Sequence, residues 1–332
     1  MKIFTKTQYM LLKKLSDGLC HSGQHLGDTL GVSRTAIWKH IKHFETLGLA
    51  IERIPKQGYR LTRSFVPLDE QAIRKKLTLA LNQALNLHVL ASVDSTNRFL
   101  KNQAYTPGFT LCTSETQTSG RGRFARPWHS PFGDNIYCSL AWRFEGDPSN
   151  LSGLSLVVSL AVHAAIQQLK TDHVSKDILI KWPNDLLWQN KKLAGILIEM
   201  TGEGNGNTDV IIGIGLNVNA IAEKNTPIDK PWCALRDILE QSINRNALLA
   251  LLITQLDQHL QEFSKQGFQA YQAAWQALDY LFDRTITVSK PKGTLTGRAQ
   301  GVDKAGYLRL IDEHDVTHIL SSGDTSLAQK NF

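Results

Sequence analysis

The sequence predicts a multidomain α+β protein. An N-terminal winged helix-turn-helix leads into a central mixed-sheet α+β domain, and a small SH3-like β-barrel closes the chain. Three observations carry this prediction. Residues 1–66 hold 11 Lys/Arg against 4 Asp/Glu, whereas the rest of the 332-residue chain holds 26 of each and is neutral. Strand-like and helix-like patterns then alternate to about residue 280, and beyond Asp283 the pattern has period 2 only. The expected domains are therefore 1–65, 66–282 and 283–332.

In the first domain, Thr7–Ser16 has helical spacing through Met10, Leu11 and Leu15, and Ser22–Leu30 is a short second helix ended by Gly31. Ser33 is placed to cap a third helix from Arg34 to about Leu47, stopped by Gly48. Ile37, Ile41 and Phe44 share one face of it; Thr35, Lys39, Lys42 and Thr46 lie roughly opposite. An apolar back with a Lys/Thr front suits a recognition helix in a major groove. A hairpin follows, Leu49–Ile54 and Tyr59–Thr62 about the turn Pro55-Lys56-Gln57-Gly58, with Arg53, Lys56, Arg60 and Arg63 making a basic wing. A DNA partner is expected, contacted by Ser33, Arg34, Thr35, Trp38, Lys39, Lys42, Lys56 and Arg60.

Val66-Pro67-Leu68-Asp69 reads as the linker. A helix over Asp69–Leu79 should open the central domain, followed by strands at Leu87–Val93, Thr110–Thr116 and Asn135–Arg143 and a helix at Thr96–Gln103. Further strands are expected at Ile178–Trp182, Leu186–Trp188, Lys192–Thr201 and Thr208–Val218, and helices at Asn246–Lys265 and Phe268–Ala277. The run 151–170 is nearly long enough to span a bilayer, but Ser155, Ser159, His163 and Gln167 draw a polar stripe down one face, so a buried helix is expected.

Several function classes fall away. The four cysteines show no Cys-x-x-Cys spacing and the eleven histidines no metal-ligand pairing, so neither a disulfide framework nor a zinc site is expected. The N-terminus lacks a secretory apolar region, which makes the cytoplasm the expected compartment and a membrane an unexpected partner. No G-x-x-x-x-G-K-[ST] loop exists. Residues 202–207 read as a hairpin turn, not a dinucleotide fingerprint, and His129-Ser130 lacks a nucleophile elbow.

What remains is Gly120-Arg-Gly-Arg-Phe-Ala-Arg-Pro-Trp128, three arginines and two glycines in nine positions. Arginines offer bidentate donors to phosphate or carboxylate, and glycines let the backbone approach a ligand. Around it stand Asp94-Ser95-Thr96-Asn97, Gln117, Lys181-Trp-Pro-Asn-Asp185, Lys192-Leu-Ala-Gly195 and Gly213-x-Gly-x-Asn217. In this order the motifs resemble those of the biotin–protein ligases. With the winged helix ahead of them, the chain is similar to the bifunctional bacterial members that are both biotin–[acetyl-CoA-carboxylase] ligase and biotin operon repressor. The resemblance runs over residues 5–325.

The resemblance implies a two-step reaction with ATP, Mg2+ and biotin: formation of biotinyl-5′-AMP, then transfer of biotin to a lysine of biotin carboxyl carrier protein. It implies that Ser95, Thr96, Asn97, Gln117, Arg121, Gly122, Arg123 and Lys192 hold biotin. Arg123, Arg126, Trp128, Lys181, Asn184 and Asn217 would hold ATP or the adenylate, with catalysis falling to Arg121, Arg123, Lys181 and Lys192. Asp185 is a candidate metal-associated carboxylate, although such a residue also suits a plain turn. The glycines at 213 and 215 are expected to bring a strand close to the nucleotide. Family members often carry glycine where this chain has Ala125, which argues against a left-handed turn there. The adenylate would also serve as corepressor, promoting a homodimer that meets two-fold operator DNA. Rival readings are a biotin-responsive DNA-binding sensor without ligase activity, a lipoate ligase, and a ligase with a non-regulatory N-terminal domain.

Overall fold

The computed structural model describes residues 4–103, 109–169, 177–204, 206–222, 228, 230–290 and 293–328. Three helices come first: α1 (Lys6–Leu15), α2 (Gly23–Leu30) and α3 (Arg34–Thr46). Thr5, Ser22 and Ser33 cap them by accepting backbone N–H groups, and Gly31 ends α2 in a left-handed conformation. Leu11, Leu12, Leu15, Leu26, Ile37, Ile41 and Phe44 are fully buried and make a core of their own with Leu49 and Leu61. The antiparallel hairpin of β1 (Ile51–Ile54) and β2 (Gly58–Leu61) follows. Tyr59 also bridges back to His21, and a Cβ at Gly58 would lie 2.0 Å from the His21 carbonyl oxygen, so only glycine fits that crossing.

The linker is firmly held. Glu115 accepts from the Leu68 N–H (2.6 Å) and pairs with Arg245 (2.7 Å), both side chains being fully buried. Arg245 also donates to the carbonyls of Val66 and Asn135, and Asn246 bonds Pro67 and Asp69. A buried ion pair costs much desolvation, which these extra hydrogen bonds offset. Across the joint, Tyr9 donates to Asp69 (2.6 Å), Arg63 pairs with Asp134, and Phe65 meets Phe132 edge-on.

The helix expected over 69–79 stops early as α4 (Glu70–Arg74), and a second short helix, α5 (Leu79–Ala84), starts where Thr78 caps it. Next come β3 (Leu85–Leu90), α6 (Thr96–Lys101), β4 (Phe109–Ser114), β5 (Ile136–Glu145) and α7 (Leu154–Gln167). Residue 170, the end of the expected long helix, lies outside the described residues. The strands β6 (Ile178–Lys181), β7 (Asp185–Trp188), β8 (Lys191–Gly204) and β9 (Asn207–Leu216) complete a seven-stranded mixed sheet of order β3-β4-β5-β9-β8-β7-β6. Pairing of β8 with β9 runs to Gly204↔Asn207, so most of the stretch expected as a turn is strand. The short α8 (Leu235–Leu239), which the sequence pattern did not suggest, precedes α9 (Arg245–Gln266) and α10 (Gln272–Gln276).

Register sorts the sheet into two faces. Leu140, Ile196, Ile212 and Ile214 belong to the main core with α7 and α9. The stretch Pro148–Gln167 is long and apolar enough to cross a membrane, yet most of the α7 side chains are packed inside, and Ser159 donates to the Ser155 carbonyl. The last elements are β10 (Thr285–Lys290), β11 (Gly293–Val302), β12 (Leu308–Ile311), β13 (Thr317–Leu320) and β14 (Asp324–Leu327), an antiparallel sheet of order β13-β12-β11-β10-β14. It is less an appendage than its sequence suggests. Ile286, Val288, Leu308 and Leu310 join the same apolar cluster as Trp182 and Leu156. The Trp182 indole donates to the Gly306 carbonyl, and Thr325 donates to the Trp182 carbonyl.

Candidate functional site

The face of the central sheet away from α7 carries the residues singled out from the sequence. Gly195 and Gly215 pair across β8 and β9, and Gly213 lies opposite Ser139 of β5. Cβ atoms would collide with side chains at Gly213 (Asn97 Oδ1, 2.2 Å) and Gly215 (Trp128 Cε2, 2.4 Å), and at Gly195 would lie tight against Lys192 Cε (3.0 Å) and Trp128 Cζ3 (3.1 Å). The room that glycine leaves in these strands is thus filled by Asn97 and Trp128.

Above this floor α6 begins. Ser95 caps it, and Ser95, Thr96 and Asn97 are buried. Gln117 Oε1 accepts from the Thr96 N–H (2.9 Å), and the Thr96 hydroxyl oxygen lies 3.1 Å from it. Ser139 lies 2.7 Å from Thr96 Oγ1 and 2.5 Å from Asn97 Oδ1, and Asn97 Nδ2 donates to Glu199 (2.7 Å). The result is a continuous polar chain of short hydroxyls and amides, the groups that a ring carrying both donors and acceptors requires.

The arginine loop folds back on itself, with Trp128 N–H bonded to Gly120 and Gly122 N–H bonded to Arg126. Its tip contradicts the argument drawn from Ala125: Phe124 and Ala125 both sit in the left-handed region at φ 55°. The guanidinium groups of Arg123 (5.1 Å) and Arg126 (5.6 Å) both lie over the Phe124 ring, contacts that help hold a conformation glycine would adopt at less cost.

The loop's cations are anchored from three sides. Arg121 pairs with Glu199 of β8 (2.9 Å), Arg123 reaches Asn184 Oδ1 (3.5 Å), and Arg126 pairs with Asp324 of β14 (2.6 Å). Burial lowers the pKa of the Arg123 guanidinium. Burial would raise the Asp324 carboxyl, but the Arg126 hydrogen bond and charge outweigh it and hold its pKa below the usual value. Lys181, at the end of β6, donates to the Thr325 carbonyl (2.5 Å), and burial lowers its pKa.

Lys192 reaches the site through a bulge. The β7–β8 register slips between Leu186 and Leu187, which turns Lys192 toward the glycine face beside Gly195. Its ammonium sits 5.3 Å over the Trp128 ring and 2.7 Å from Asp185 Oδ1. The carboxylate offered above for a metal is therefore the ion-pair partner of a lysine. Among the described residues no group of three His, Cys, Asp or Glu could hold a metal ion. Asn217 is buried, and its Nδ2 donates to the Cys233 (3.1 Å) and Lys192 (3.4 Å) carbonyls, tying the end of β9 to the neighbouring strand.

Most sequence-derived candidates thus converge. Sequence reading missed Ser139, Glu199, Asp324 and Thr325. Two carried a signal: Ser139 is a polar residue in an apolar strand, and Glu199 falls on the Gly195 face by simple alternation. Asp324 and Thr325 carried none, because only the fold brings β14 to the arginine loop.

At the other end, Arg34, Thr35, Trp38, Lys39 and Lys42 are exposed on α3, with Ser33 capping it and Lys56 at the hairpin tip. Lys42 and Arg53 pair with Glu45, and Arg60 pairs with Glu52, all at the surface.

Comparison with known proteins agrees with this arrangement. Three family models match: an HTH domain over residues 7–60, the biotin/lipoate A/B protein ligase family over 89–217, and the biotin protein ligase C-terminal domain over 281–327. The bifunctional ligase/repressor BirA of Escherichia coli is 34% identical over 318 residues, 96% of either chain. That of Bacillus subtilis is 34% identical over 313 residues, 91% of this chain and 92% of its own. Among solved structures, the biotin protein ligase of Aquifex aeolicus in complex with biotin and ATP superposes with a TM-score of 0.63 at 27% identity, covering 74% of this chain and 99% of its own. The polar chain, the anchored cations and the exposed cationic helix are thus found in a chain that belongs to the biotin protein ligase family, among its bifunctional members that join a ligase to a repressor.

Proposed function

We propose that the glycine-floored cleft binds biotin along the chain Gln117–Thr96–Ser139–Asn97 and ATP beside the arginine loop, and that it joins them as biotinyl-5′-AMP. The observation that carries this is the convergence of Arg121, Arg123, Lys181 and Lys192 on one cleft from three separate elements. Two anions must meet there. The biotin carboxylate oxygen bonds to the α-phosphorus, the bond to the β-phosphate bridge breaks, and pyrophosphate leaves. Fixed cations stabilise the charge that gathers on the α-phosphate and need little rearrangement to do so.

Lys192 sits where the bulge aims it at the carboxylate–phosphate junction, with Asp185 holding its ammonium in place. Arg121, Gly122 and Arg123 receive the carboxylate and phosphate; Arg126, Lys181, Asn184 and Trp128 line the nucleotide side. Asn217 serves by fixing the Lys192 backbone rather than by reading adenine, since its donor is committed to carbonyls. Mg2+ fits best as part of the ATP complex, because Asp185 is engaged with Lys192 and no cluster of protein ligands exists among the described residues. In the second half-reaction a lysine amine of biotin carboxyl carrier protein attacks the acyl carbon, AMP departs with the electron pair, and the amine sheds a proton.

The hairpin β1–β2 reads as a wing and the C-terminal sheet as an SH3-like barrel, with units at 1–65, 66–282 and 283–332. Exposed cations on α3 and at Lys56 fit operator phosphates, with biotinyl-5′-AMP as corepressor and a homodimer matching two-fold DNA. The cytoplasm is the compartment in which these partners meet. Incubation with biotin, ATP and magnesium should yield biotinyl-5′-AMP by mass spectrometry and biotin-dependent exchange of pyrophosphate into ATP. Absence of both would overturn the ligase reading.

A further inference from the structure

The polar chain closes into a circuit, and one residue sets its direction. Glu199 accepts from Asn97 through one carboxylate oxygen (2.7 Å) and holds Arg121 with the other (2.9 Å). A carboxylate offers acceptors only, so it dictates which end of the Asn97 amide faces it. With Nδ2 turned to Glu199, Asn97 Oδ1 faces Ser139 and takes the single Ser139 hydroxyl proton (2.5 Å). Ser139 can then only accept from Thr96 (2.7 Å), and Gln117 Oε1 accepts from the Thr96 backbone. The Gln117 amide nitrogen is thereby turned toward Gly120, where a Cβ would lie 2.9 Å from it. Gly120 begins the loop whose next residue, Arg121, returns to Glu199.

We infer that Glu199 is a positioning residue for the ligase reaction. It fixes the donor and acceptor order of the biotin head-group pocket through Asn97 and Ser139, and it ties that pocket to the arginine loop through Arg121. This rests on the proposed biotin pocket. Position supports it independently of the hydrogen bonds: Glu199 lies on the same strand face as Gly195, two steps from Leu197, which pairs with Gly213 beneath Asn97. Neither Asn97 nor Arg121 has another charged contact among the described residues that would set its orientation.

Glu199→Gln keeps the size but removes the charge, and an amide can donate as readily as accept. Biotin affinity is measured by calorimetry without ATP, and KM for biotin and for ATP by pyrophosphate exchange. Loss of a hydrogen bond to a charged group should weaken biotin binding about 10- to 100-fold. KM for ATP should change by less than about threefold on the same scale, with the melting temperature nearly unchanged. The double variant Asn97→Asp/Glu199→Gln moves the acceptor-only group one step along the chain and restores its order, because the new amide donates to the new carboxylate. It should recover biotin binding toward wild type. Unaltered biotin affinity in Glu199→Gln, or equal losses for biotin and ATP with a lowered melting temperature, would overturn the inference. So would a double variant no better than the single one. Calorimetry needs no turnover, so these outcomes stay distinct from failure of the ligase reading, which shows as wild type that makes no adenylate.

Discussion

The cations at the two ends of this molecule are deployed in opposite ways. On α3 and the hairpin, Arg34, Lys39 and Lys56 stand in solvent with no ion pair among the described residues, and the pairs that exist there are surface ones. In the cleft every cation has a partner drawn from another element: Glu199 for Arg121, Asp324 for Arg126, Asp185 for Lys192, and the Thr325 carbonyl for Lys181. Solvated charges act independently on a phosphate backbone, each releasing counterions. Charges held in a shared network are positioned in advance but lose their independence. The difference teaches that charge alone says little about role; who holds the charge says more.

The strongest way to break the comparison is Lys192→Ala. Adenylate formation should fall about 100- to 1,000-fold or more, the range for removing one preorganised stabilising group. Pyrophosphate exchange at the wild-type rate would show that another lysine does the work. Coupling comes next. Asp185→Asn should lower exchange, yet added to Lys192→Ala it should cost almost nothing further, because the two act as a unit. Strict multiplication of the two losses would mean the ion pair is incidental.

The exposed cations should behave otherwise. Lys39→Ala and Lys56→Ala should each weaken duplex DNA binding modestly and reduce the salt slope by about one, and the double variant should show the sum. Lys42→Ala should do less, since Glu45 already shares its charge (3.5 Å). Ligation should be indifferent to all three. Strong coupling between Lys39 and Lys56 would place them in a network that the structure does not contain.

The smallest effect concerns stability at the joint of the two sheets. Burial raises the Asp279 carboxyl to about 6, above its ordinary 3.8. The folded protein then binds more protons than the unfolded chain between roughly pH 4 and 6, so this group lowers stability as pH rises through that window. The melting temperature of Asp279→Asn should therefore gain on wild type between pH 4.5 and 7. A constant difference across that range would deny the shift.

Much of this was legible in the sequence, for identifiable reasons. Local rules fixed the first three helices, because Thr5, Ser22 and Ser33 cap where short-range hydrogen bonding favours them. The candidates that motif order singled out, Thr96, Gln117, Arg121 and Lys192, lie together over the glycine face of the central sheet. What escaped depended on distance along the chain. No local pattern could reveal that β14 supplies partners for Arg126 and Lys181, nor that Asp185 would spend its carboxylate on Lys192. The expectation from Ala125 failed because two guanidinium groups stack on Phe124 and help hold a backbone that local propensity disfavours. The Thr78 restart was readable in principle, since a threonine ahead of a helical run is a cap signal.

The joint at residues 63–69 has an evolutionary consequence. Asp134 is almost wholly enclosed and its pKa is raised by burial, and Arg63, on the gene-control side, is the cation that meets it. Phe132 likewise packs against Phe65 and Phe4 of that side. A lineage shedding the front segment to keep only the enzyme inherits a stranded carboxylate and a bared aromatic ring. Monofunctional descendants of such a chain should carry replacements at 132 and 134, so that the loss of a regulatory half leaves its scar in the surviving one.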